Sequence, residues 1–411
     1  MYNKLKSDAV KIYNAAIKEA MPDKAVQRAL KKLCISEDVI LVSIGKAAWR
    51  MAKAAYGELG SQIKSGIVIT KYGHSQGPIA NFKIYEAGHP ILDENGIEAT
   101  KAALDLVAKE KDNRERAVLF LVSGGGSALF ESLMPGITLD YMRELNAKLL
   151  ASGAEIHEIN TIRKLFSEVK GGRFAEFCAP AKVYQIVLSD VLGDDLGSIA
   201  SGPAAPNHAT ADDVRNLNQK YSLGIDEEIL AEQHPTETLN VTTIIAANVT
   251  ILCQSAANKA KELGYAPVIK GNAVSGDVEQ LADKIYSDAI NTKAEERPCA
   301  LIYGGEPTVH IKGNGLGGRN QELALLIAQK IAGIGEMTFV SCGSDGTDGP
   351  TDAAGGITDG STWEQIAQKG LDPASLLANN DSNRALAAAD ALIITGPTGT
   401  NVNDLIFMLL E

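Results

Sequence analysis

The sequence has 411 residues, of which 45% are hydrophobic and 22% charged, so the chain is long enough for two globular domains with ordinary cores. Its 51 acidic and 39 basic residues give a formal net charge of -12, which excludes the basic surface typical of nucleic-acid-binding proteins. The five cysteines form no CxxC pair, and no apolar run approaches the roughly 20 residues that span a bilayer. We therefore expect a cytoplasmic protein with no zinc site, no nucleic-acid partner and no membrane partner.

The predicted elements begin with an amphipathic helix over residues 1–20, whose apolar face carries Val10, Tyr13 and Ile17. Short apolar runs then alternate with helical patterns, which predicts α/β architecture. Because these runs are apolar on both faces, we expect buried parallel strands. The predicted strands are 39–44, 66–70, 117–122, 183–188, 243–246, 300–303, 338–340 and 391–395.

A polar stretch at residues 231–240 contains Pro235, has no hydrophobic periodicity and precedes a new strand. We place the domain change there. The predicted domains are residues 1–235 and residues 236–411.

The segment Ser43-Ile44-Gly45-Lys46-Ala47-Ala48 joins the first strand to a helix predicted over 47–58. Lys46 is expected in the first helical turn, where free amides and the helix dipole favour an anion and where a lysine can reach a phosphate. The segment is not a P-loop, because Ile40 stands where that pattern needs glycine and Ala47 replaces Ser or Thr. An ordinary solvated lysine is the alternative interpretation.

Two polar loops follow later strands of the same half. Ser123-Gly124-Gly125-Gly126-Ser127 exposes consecutive backbone N–H groups that can cradle a phosphate, with Ser127 capping the next helix; a flexible turn is the alternative. Asp190 follows the 183–188 strand and is a candidate Mg²⁺ ligand, whereas Asp194 and Asp195 are interpreted as helix caps.

The densest polar segment lies in the second half, at residues 304–322. It satisfies GxGxxG, but the dinucleotide fingerprint needs an acid at the end of the next strand, and that strand ends in Ser341-Cys342. Arg319 opens a helix at the unfavourable end of its dipole, which favours a bound anion. The acidic loop that contains Asp345 lacks EF-hand spacing, so ordered turns, a metal or a hydroxylated substrate all remain open.

Eight motifs in this order resemble the type II glycerate 2-kinase family, whose members are often labelled hydroxypyruvate reductase. They are SIGKAAWRMA, EAGHPILDENG, LVSGGGSALF, EINTIRKLFSEVKGGRFA, LSDVLGDDLGSIASGP, YGGEPTVHIKGNGLGGRNQELAL, SCGSDGTDGPTDAAGG and TGPTGTNVNDL. The resemblance implies a Rossmann-like N-terminal domain and a smaller C-terminal α/β domain, with the active site in the cleft between them. It also implies transfer of the ATP γ-phosphoryl group to the 2-hydroxyl of D-glycerate, with Mg²⁺, giving 2-phospho-D-glycerate and ADP.

The family's motif lysine and arginine match Lys46 and Arg319, to which we assign catalysis. Asp190 and Asp345 are the metal candidates. A homodimer is considered, and the oligomeric state is left open. An NAD(P)H-dependent hydroxypyruvate reductase and a non-catalytic sugar-phosphate-binding regulator are the competing functions. The residues assigned to substrate or nucleotide binding are Ser123, Gly124, Gly125, Gly126, Ser127, Glu306, Asn320 and Asn401.

Overall fold

The computed structural model describes residues 2–411, which form two compact units. The N-terminal unit is Ala25–Ala246. The C-terminal unit combines Ala247–Glu411 with the chain up to Lys24. The fold is α/β, as expected, and its described residues form two six-stranded sheets. The predicted division at residue 235 stays a prediction. The first helix of the chain packs with the C-terminal unit.

The strands are β1 (Asp38–Ile44), β2 (Ile63–Lys71), β3 (Lys83–Ala87), β4 (Arg116–Val122), β5 (Val183–Leu188), β6 (Val241–Ala247), β7 (Ala266–Val274), β8 (Cys299–Gly305), β9 (Met337–Gly343), β10 (Gly355–Asp359), β11 (Leu392–Ile393) and β12 (Asp404–Leu410). The α-helices are α1 (Tyr2–Ala20), α2 (Pro22–Leu33), α3 (Ala48–Leu59), α4 (Glu94–Glu110), α5 (Gly126–Leu129), α6 (Leu139–Ala151), α7 (Ile156–Leu165), α8 (Arg173–Cys178), α9 (Ala211–Lys220), α10 (Glu227–Ala231), α11 (Val249–Glu262), α12 (Val278–Ile290), α13 (Arg319–Lys330), α14 (Thr362–Gln368), α15 (Pro373–Ala378) and α16 (Ser382–Ala388).

The N-terminal sheet has the order β3-β2-β1-β4-β5-β6, and the pairings among β1 to β5 are parallel. β1 and β4 are buried over six consecutive residues, because helices cover both faces of such a sheet. Helices α6, α7, α9 and α10 contribute to a smaller separate core that includes Met142, Ile162 and Phe166.

The C-terminal sheet has the order β11-β10-β9-β12-β8-β7. β7 and β8 pair in parallel, whereas β12 runs antiparallel to β8 and β9, and β10 is antiparallel to β9 and β11. Since β12 lies between β8 and β9, its first residue, Asp404, sits beside the last residues of both neighbours, Gly305 and Gly343. Helix α1 packs on α11, β9 and β12 of this unit.

Several sequence-based expectations differ from this structure. Buried parallel strands are correct for β1 to β5, but four of the five pairings in the C-terminal sheet are antiparallel. The strand predicted at 391–395 is only the two residues of β11. The N-terminal helix prediction agrees with α1, apart from Met1, which lies outside the described residues. Tyr13 and Ile17 are buried as expected, but Val10 is exposed, so its placement on the apolar face was wrong. Strands β3, β7, β10 and β12 were not predicted. Within residues 2–411, no helix is long and apolar enough to cross a membrane.

Candidate functional site

The carboxyl ends of β1 and β4 lie side by side where the strand order reverses, since β1 pairs with β2 on one side and β4 on the other. Open α/β sheets bind ligands at such a position. Ser123 ties the two loops together: its buried Oγ accepts from the Ala47 N–H (3.1 Å) and donates to the Ile44 carbonyl (3.2 Å). Ser123 therefore positions the loops, with both roles of its hydroxyl already used.

Lys46 extends from the β1–α3 loop. It lies one residue before the N-cap of α3 and not in the first helical turn as predicted, because the helix begins only at Ala48. A positive φ of 108° at Gly45 makes the tight turn, where a Cβ would lie 2.3 Å from Ser123 Oγ. The Lys46 N–H donates to the Gly124 carbonyl (2.9 Å), so the predicted lysine and the predicted glycine loop are neighbours.

The glycine triplet allows three side chains to approach the backbone closely. A Cβ on Gly124 would lie 2.1 Å from Oδ2 of Asp190, so the predicted metal candidate contacts the predicted phosphate cradle. Gly125 has φ +86° and is flanked by His89 and by Cγ of Lys46, at 3.0 Å and 3.3 Å from the position of a Cβ. Within the described chain, the amides of residues 124–127 donate to no backbone carbonyl. They form a short arc of N–H groups beside a lysine and a carboxylate.

Ser127 does not cap α5, since it is the second residue of that helix and Gly125 occupies the N-cap. Its Oγ lies 3.1 Å from Oγ of Ser201, whose hydroxyl also reaches Oδ1 of Asn160 at 3.5 Å. Ser201 and Asn160 are buried. A chain of polar side chains thus leads from the cradle to α7.

A cavity of about 840 Å³ opens beside the cradle, entirely within the N-terminal unit. Its lining includes Gly124, Gly125, Asp190 and His89, and residues of helices α6 and α7. Three basic side chains, Arg143, Arg163 and Lys170, also line the cavity, together with Glu131 and several apolar residues.

His89 is a neutral group at this site. Burial lowers its pKa to about 4, and the cations Lys46 and Lys71 act in the same direction. Near neutral pH the imidazole therefore offers a lone pair without adding to the positive charge around the cradle.

In the C-terminal unit, Arg319 opens α13 as predicted and is held by two carboxylates. It forms a bidentate contact with Asp404 (Nε–Oδ2 2.6 Å, Nη2–Oδ1 3.0 Å) and a single contact with Glu306 (3.0 Å). Glu306 also accepts from Asn403 Nδ2 at 3.2 Å. Burial raises the pKa of Asp404 to about 6, against the opposing effect of the Arg319 guanidinium. The sequence predicted a bound anion beside Arg319, and in the structure the carboxylates of Asp404 and Glu306 occupy part of that role.

The start of α13 is also closed by the chain. Asp348 accepts from the backbone N–H groups of Asn320 (3.1 Å) and Gln321 (2.9 Å), and a Cβ on Gly318 would lie 2.4 Å from its carboxyl carbon. Asn320 is buried, and its side chain bonds to Asp348 and Ser341. Its amide thus positions this corner, and the sequence-based assignment of Asn320 to ligand binding stays a prediction.

The GxGxxG loop has a structural use. Gly313 N–H donates to Asn380 Oδ1 at 3.0 Å and Leu316 N–H donates to Asp381 Oδ1 at 3.1 Å. A Cβ on Gly315 would lie 2.5 Å from the backbone of Asp381. These glycines let the loop pack against the residues before α16, which accounts for their spacing without a dinucleotide.

Asp345 and Asn401 lie in loops of the same unit and are partly exposed. Asp345 Oδ1 accepts from the Thr347 N–H (3.0 Å) and lies beside Gly343, as Oδ1 of Asp404 does. Asn401 Oδ1 accepts from the Asn403 N–H (3.3 Å). Both side chains thus support turns near the Arg319 cluster.

Sequence reasoning missed His89, Asn160, Arg163 and Asp404 as site residues. The first three lie in motifs that carried the family resemblance, EAGHP and EINTIRK, but no local feature singled them out. Asp404 lies in the motif TGPTGTNVNDL, and its position at the start of an apolar run is a signal for a strand.

Family models cover most of the chain. The model described as "Domain of unknown function (DUF4147)" matches residues 8–232, and that of the MOFRL family matches residues 299–404.

The chain is also similar to named proteins. It is 50% identical to a D-glycerate 2-kinase of Thermotoga maritima, over 99% of this chain and 98% of that one. It is 36% identical to a putative hydroxypyruvate reductase of Agrobacterium vitis, over 90% of this chain and 99% of that one. A crystal structure of glycerate kinase from Thermotoga maritima superposes with a TM-score of 0.96, at 49% identity and full coverage of both chains.

Proposed function

Since the chain belongs to the type II glycerate 2-kinase family, we propose that it transfers the γ-phosphoryl group of ATP to the 2-hydroxyl of D-glycerate, giving 2-phospho-D-glycerate and ADP. One observation supports this most directly. Lys46, the glycine triplet and Asp190 come together at the switch point of a parallel sheet, beside a cavity. Phosphoryl transfer needs positioning and charge neutralisation more than covalent chemistry, and these groups supply both.

We assign the roles within the N-terminal unit as follows. The amides of the triplet and the Lys46 ammonium hold phosphoryl oxygens, where negative charge develops in the transition state. Asp190 orients the attacking hydroxyl or a metal-bound phosphate. His89 is neutral at the operating pH and can accept a hydrogen bond from a substrate hydroxyl.

Mg²⁺ is part of the proposal, and its fit rests on the donor set. No group of three His, Cys, Asp or Glu side chains forms a ready-made metal site among residues 2–411. Mg²⁺ bound to nucleotides commonly uses one or two carboxylates plus phosphate oxygens, so a single carboxylate against the cradle is compatible with it. Asp190 meets that requirement, and Asp345 is the second candidate. The ion would neutralise phosphate charge.

For Arg319, we propose that the guanidinium stabilises the transferring phosphoryl group or the substrate carboxylate. Its exposed fraction of 33% leaves part of the side chain accessible while Asp404 and Glu306 fix its orientation. Glu306 and Asn401 would contact ligand from neighbouring loops.

The reductase alternative finds little support in the C-terminal unit. A dinucleotide pyrophosphate would need free amides at the glycine loop and at the start of α13. Those amides are used by Asn380, Asp381 and Asp348.

A coupled assay with D-glycerate, ATP and Mg²⁺, with the product identified by NMR, tests the proposal. We expect 2-phospho-D-glycerate and stoichiometric ADP. Formation of 3-phosphoglycerate alone would overturn the 2-hydroxyl assignment. Oxidation of NADH by hydroxypyruvate without any kinase activity would overturn the kinase itself.

We further propose a cytoplasmic location, which the cysteine pattern supports. The oligomeric state stays open, and size-exclusion chromatography with light scattering tests the homodimer that was considered from the sequence. A monomer mass of 43.4 kDa at micromolar concentration would exclude the dimer.

A further inference from the structure

Arg163 on α7 brings a positively charged guanidinium to the cavity, and only one of its N–H groups has a hydrogen-bond partner among the described residues. Its Nε donates to Asn146 Oδ1 at 2.6 Å, and in the described part of the chain its two terminal nitrogens have no hydrogen-bond partner. Burial lowers the pKa of this arginine, with Glu131 opposing that shift. A guanidinium has five N–H donors, and a half-buried one with four unused donors is a site for an anion.

The carboxylate of Glu131 is not free to pair with Arg163. It forms an ion pair with Lys170, and both side chains are only 2% exposed. Glu131 also accepts from the Ser167 hydroxyl. The charges of Glu131 and Lys170 therefore compensate each other, and the guanidinium of Arg163 remains available to the cavity.

A second donor lies beside it. Asn160 precedes Arg163 by three residues on α7, which places the two on the same helix face. Asn160 is 5% exposed and lines the cavity. Its Oδ1 accepts from Ser201, whereas among residues 2–411 its Nδ2 has no acceptor. Because Asn160 lines the cavity, an amide donor without a protein partner there can donate to a ligand.

We propose that Arg163 and Asn160 form a carboxylate subsite that binds the acid group of the 2-hydroxy acid substrate. The inference rests on the proposed function and adds the group that selects the substrate class. Two contacts, of 3.5 Å and 3.1 Å, connect Asn160 through Ser201 to Ser127 at the cradle. The two groups and the cradle line one cavity, so a short 2-hydroxy acid can present its hydroxyl to the phosphoryl group while its carboxylate meets the planar guanidinium fork.

The test compares Arg163→Met and Arg163→Lys with wild type, using the full-length protein. We expect the Met variant to raise the KM for D-glycerate about 10- to 100-fold, the usual range for a lost charge-assisted contact. Lysine should restore only part of the loss, because it keeps the charge without the fork. The KM for ATP should change less than about threefold, since the phosphates lie at the cradle. A larger change in the KM for ATP than for glycerate would mean that Arg163 binds nucleotide phosphate and would overturn the proposal.

A neutral substrate analogue separates recognition from folding. Wild type should bind D-glycerate more tightly than glyceramide, and Arg163→Met should lose that preference. Arg215→Met is the matched control, since Arg215 pairs with Asp212 and Glu227 on the surface and should behave as wild type. Unchanged discrimination in Arg163→Met would overturn the subsite.

Calorimetric binding of D-glycerate without nucleotide keeps the subsite testable if no phosphoryl transfer occurs. Binding that depends on Arg163, with no turnover, would support the subsite and contradict the kinase. Turnover that does not change when Arg163 is replaced would support the kinase and contradict the subsite. Absence of D-glycerate binding by wild type would overturn both.

Discussion

Lys46 is a residue whose chemistry can be separated from its structural context. Its side chain runs beside the glycine triplet, and only its backbone takes part in the β1–α3 turn. We expect Lys46→Ala to lower kcat by about 10²–10³, the usual effect of losing one transition-state donor, with an unchanged melting temperature.

Lys53→Ala is the matched control, since Lys53 is an exposed lysine on the next turns of α3 that lies over the Trp49 ring. Steady-state kinetics and thermal melts of both variants decide the matter. Activity of Lys46→Ala within threefold of wild type would exclude a catalytic role.

Replacing Arg319, unlike replacing Lys46, should lower both the stability of the fold and the activity. Removing one partner of a buried ion pair costs about 3–5 kcal/mol, and Asp404 is 1% exposed. We expect Arg319→Lys to lower kcat/KM at least about tenfold, since lysine cannot contact Asp404 in a bidentate manner and Glu306 at the same time.

The variant pair Arg319→Met and Arg319→Met/Asp404→Asn separates the two effects. The second substitution removes the uncompensated carboxylate, so the free energy of unfolding should recover in part. Activity should stay low if the guanidinium contacts ligand. Recovery of both stability and activity would show that Arg319 acts only through Asp404.

The sequence predicts site residues that follow parallel strands, but not those that a helix brings to the cavity. Lys46, the glycine triplet and Asp190 each follow a parallel strand, and strand ends of one sheet share an edge, so their proximity can be inferred from order alone. Arg163 reaches the cavity from α7, in the segment between β4 and β5. Its position depends on how that helix packs in the small core around Ile162, which no local pattern encodes.

The β4–α5 loop is the element on which the phosphate cradle depends. Gly124 has no positive φ requirement, so an alanine there tests close approach alone. Its Cβ would lie 2.1 Å from Asp190 Oδ2 and must displace that carboxylate. We expect Gly124→Ala to lower kcat by at least about tenfold while the protein stays folded, because a misplaced group near the reacting atoms is costly.

Gly57→Ala gives the control for this element. Gly57 lies in α3, and a Cβ on this residue would have no neighbouring atom within 4 Å, so alanine should raise stability by up to about 1 kcal/mol and leave kinetics unchanged. Wild-type turnover in Gly124→Ala would mean that the contact between Asp190 and the cradle is dispensable.

Strand β12 shows why some elements were not predicted. The apolar residues 405–410 are typical of a strand, but the polar residues 395–403 that precede them are typical of a loop. Its antiparallel insertion between β8 and β9 has no local signature, since register and direction are set by long-range pairing. The same insertion places Asp404 between two strand ends, and so creates the partner of Arg319.

At the scale of the whole molecule, the chain's first helix completes the unit formed by its last 165 residues, Ala247–Glu411. The side chains of Leu5, Ile12 and Ala16 on α1 are fully buried. A salt bridge of 2.9 Å joins Lys6 to Asp359, and the Tyr265 hydroxyl donates to Asp8 at 3.2 Å. The C-terminal unit is therefore discontinuous in sequence.

This arrangement predicts a selective loss of stability when α1 is weakened. Ile12→Ala deletes buried methyl and methylene groups, which costs about 2–5 kcal/mol where the surroundings cannot collapse into the space. Hydrogen exchange should show faster opening of β8, β9 and β12, whereas β1 and β4 keep their protection, because sub-global openings follow the packed unit. Val10→Ala is the control, since Val10 lies on the same helix and is 37% exposed. Equal loss of protection in the two sheets would mean that α1 stabilises the chain as one cooperative block, and unchanged exchange in the C-terminal strands would mean that α1 is not part of their core.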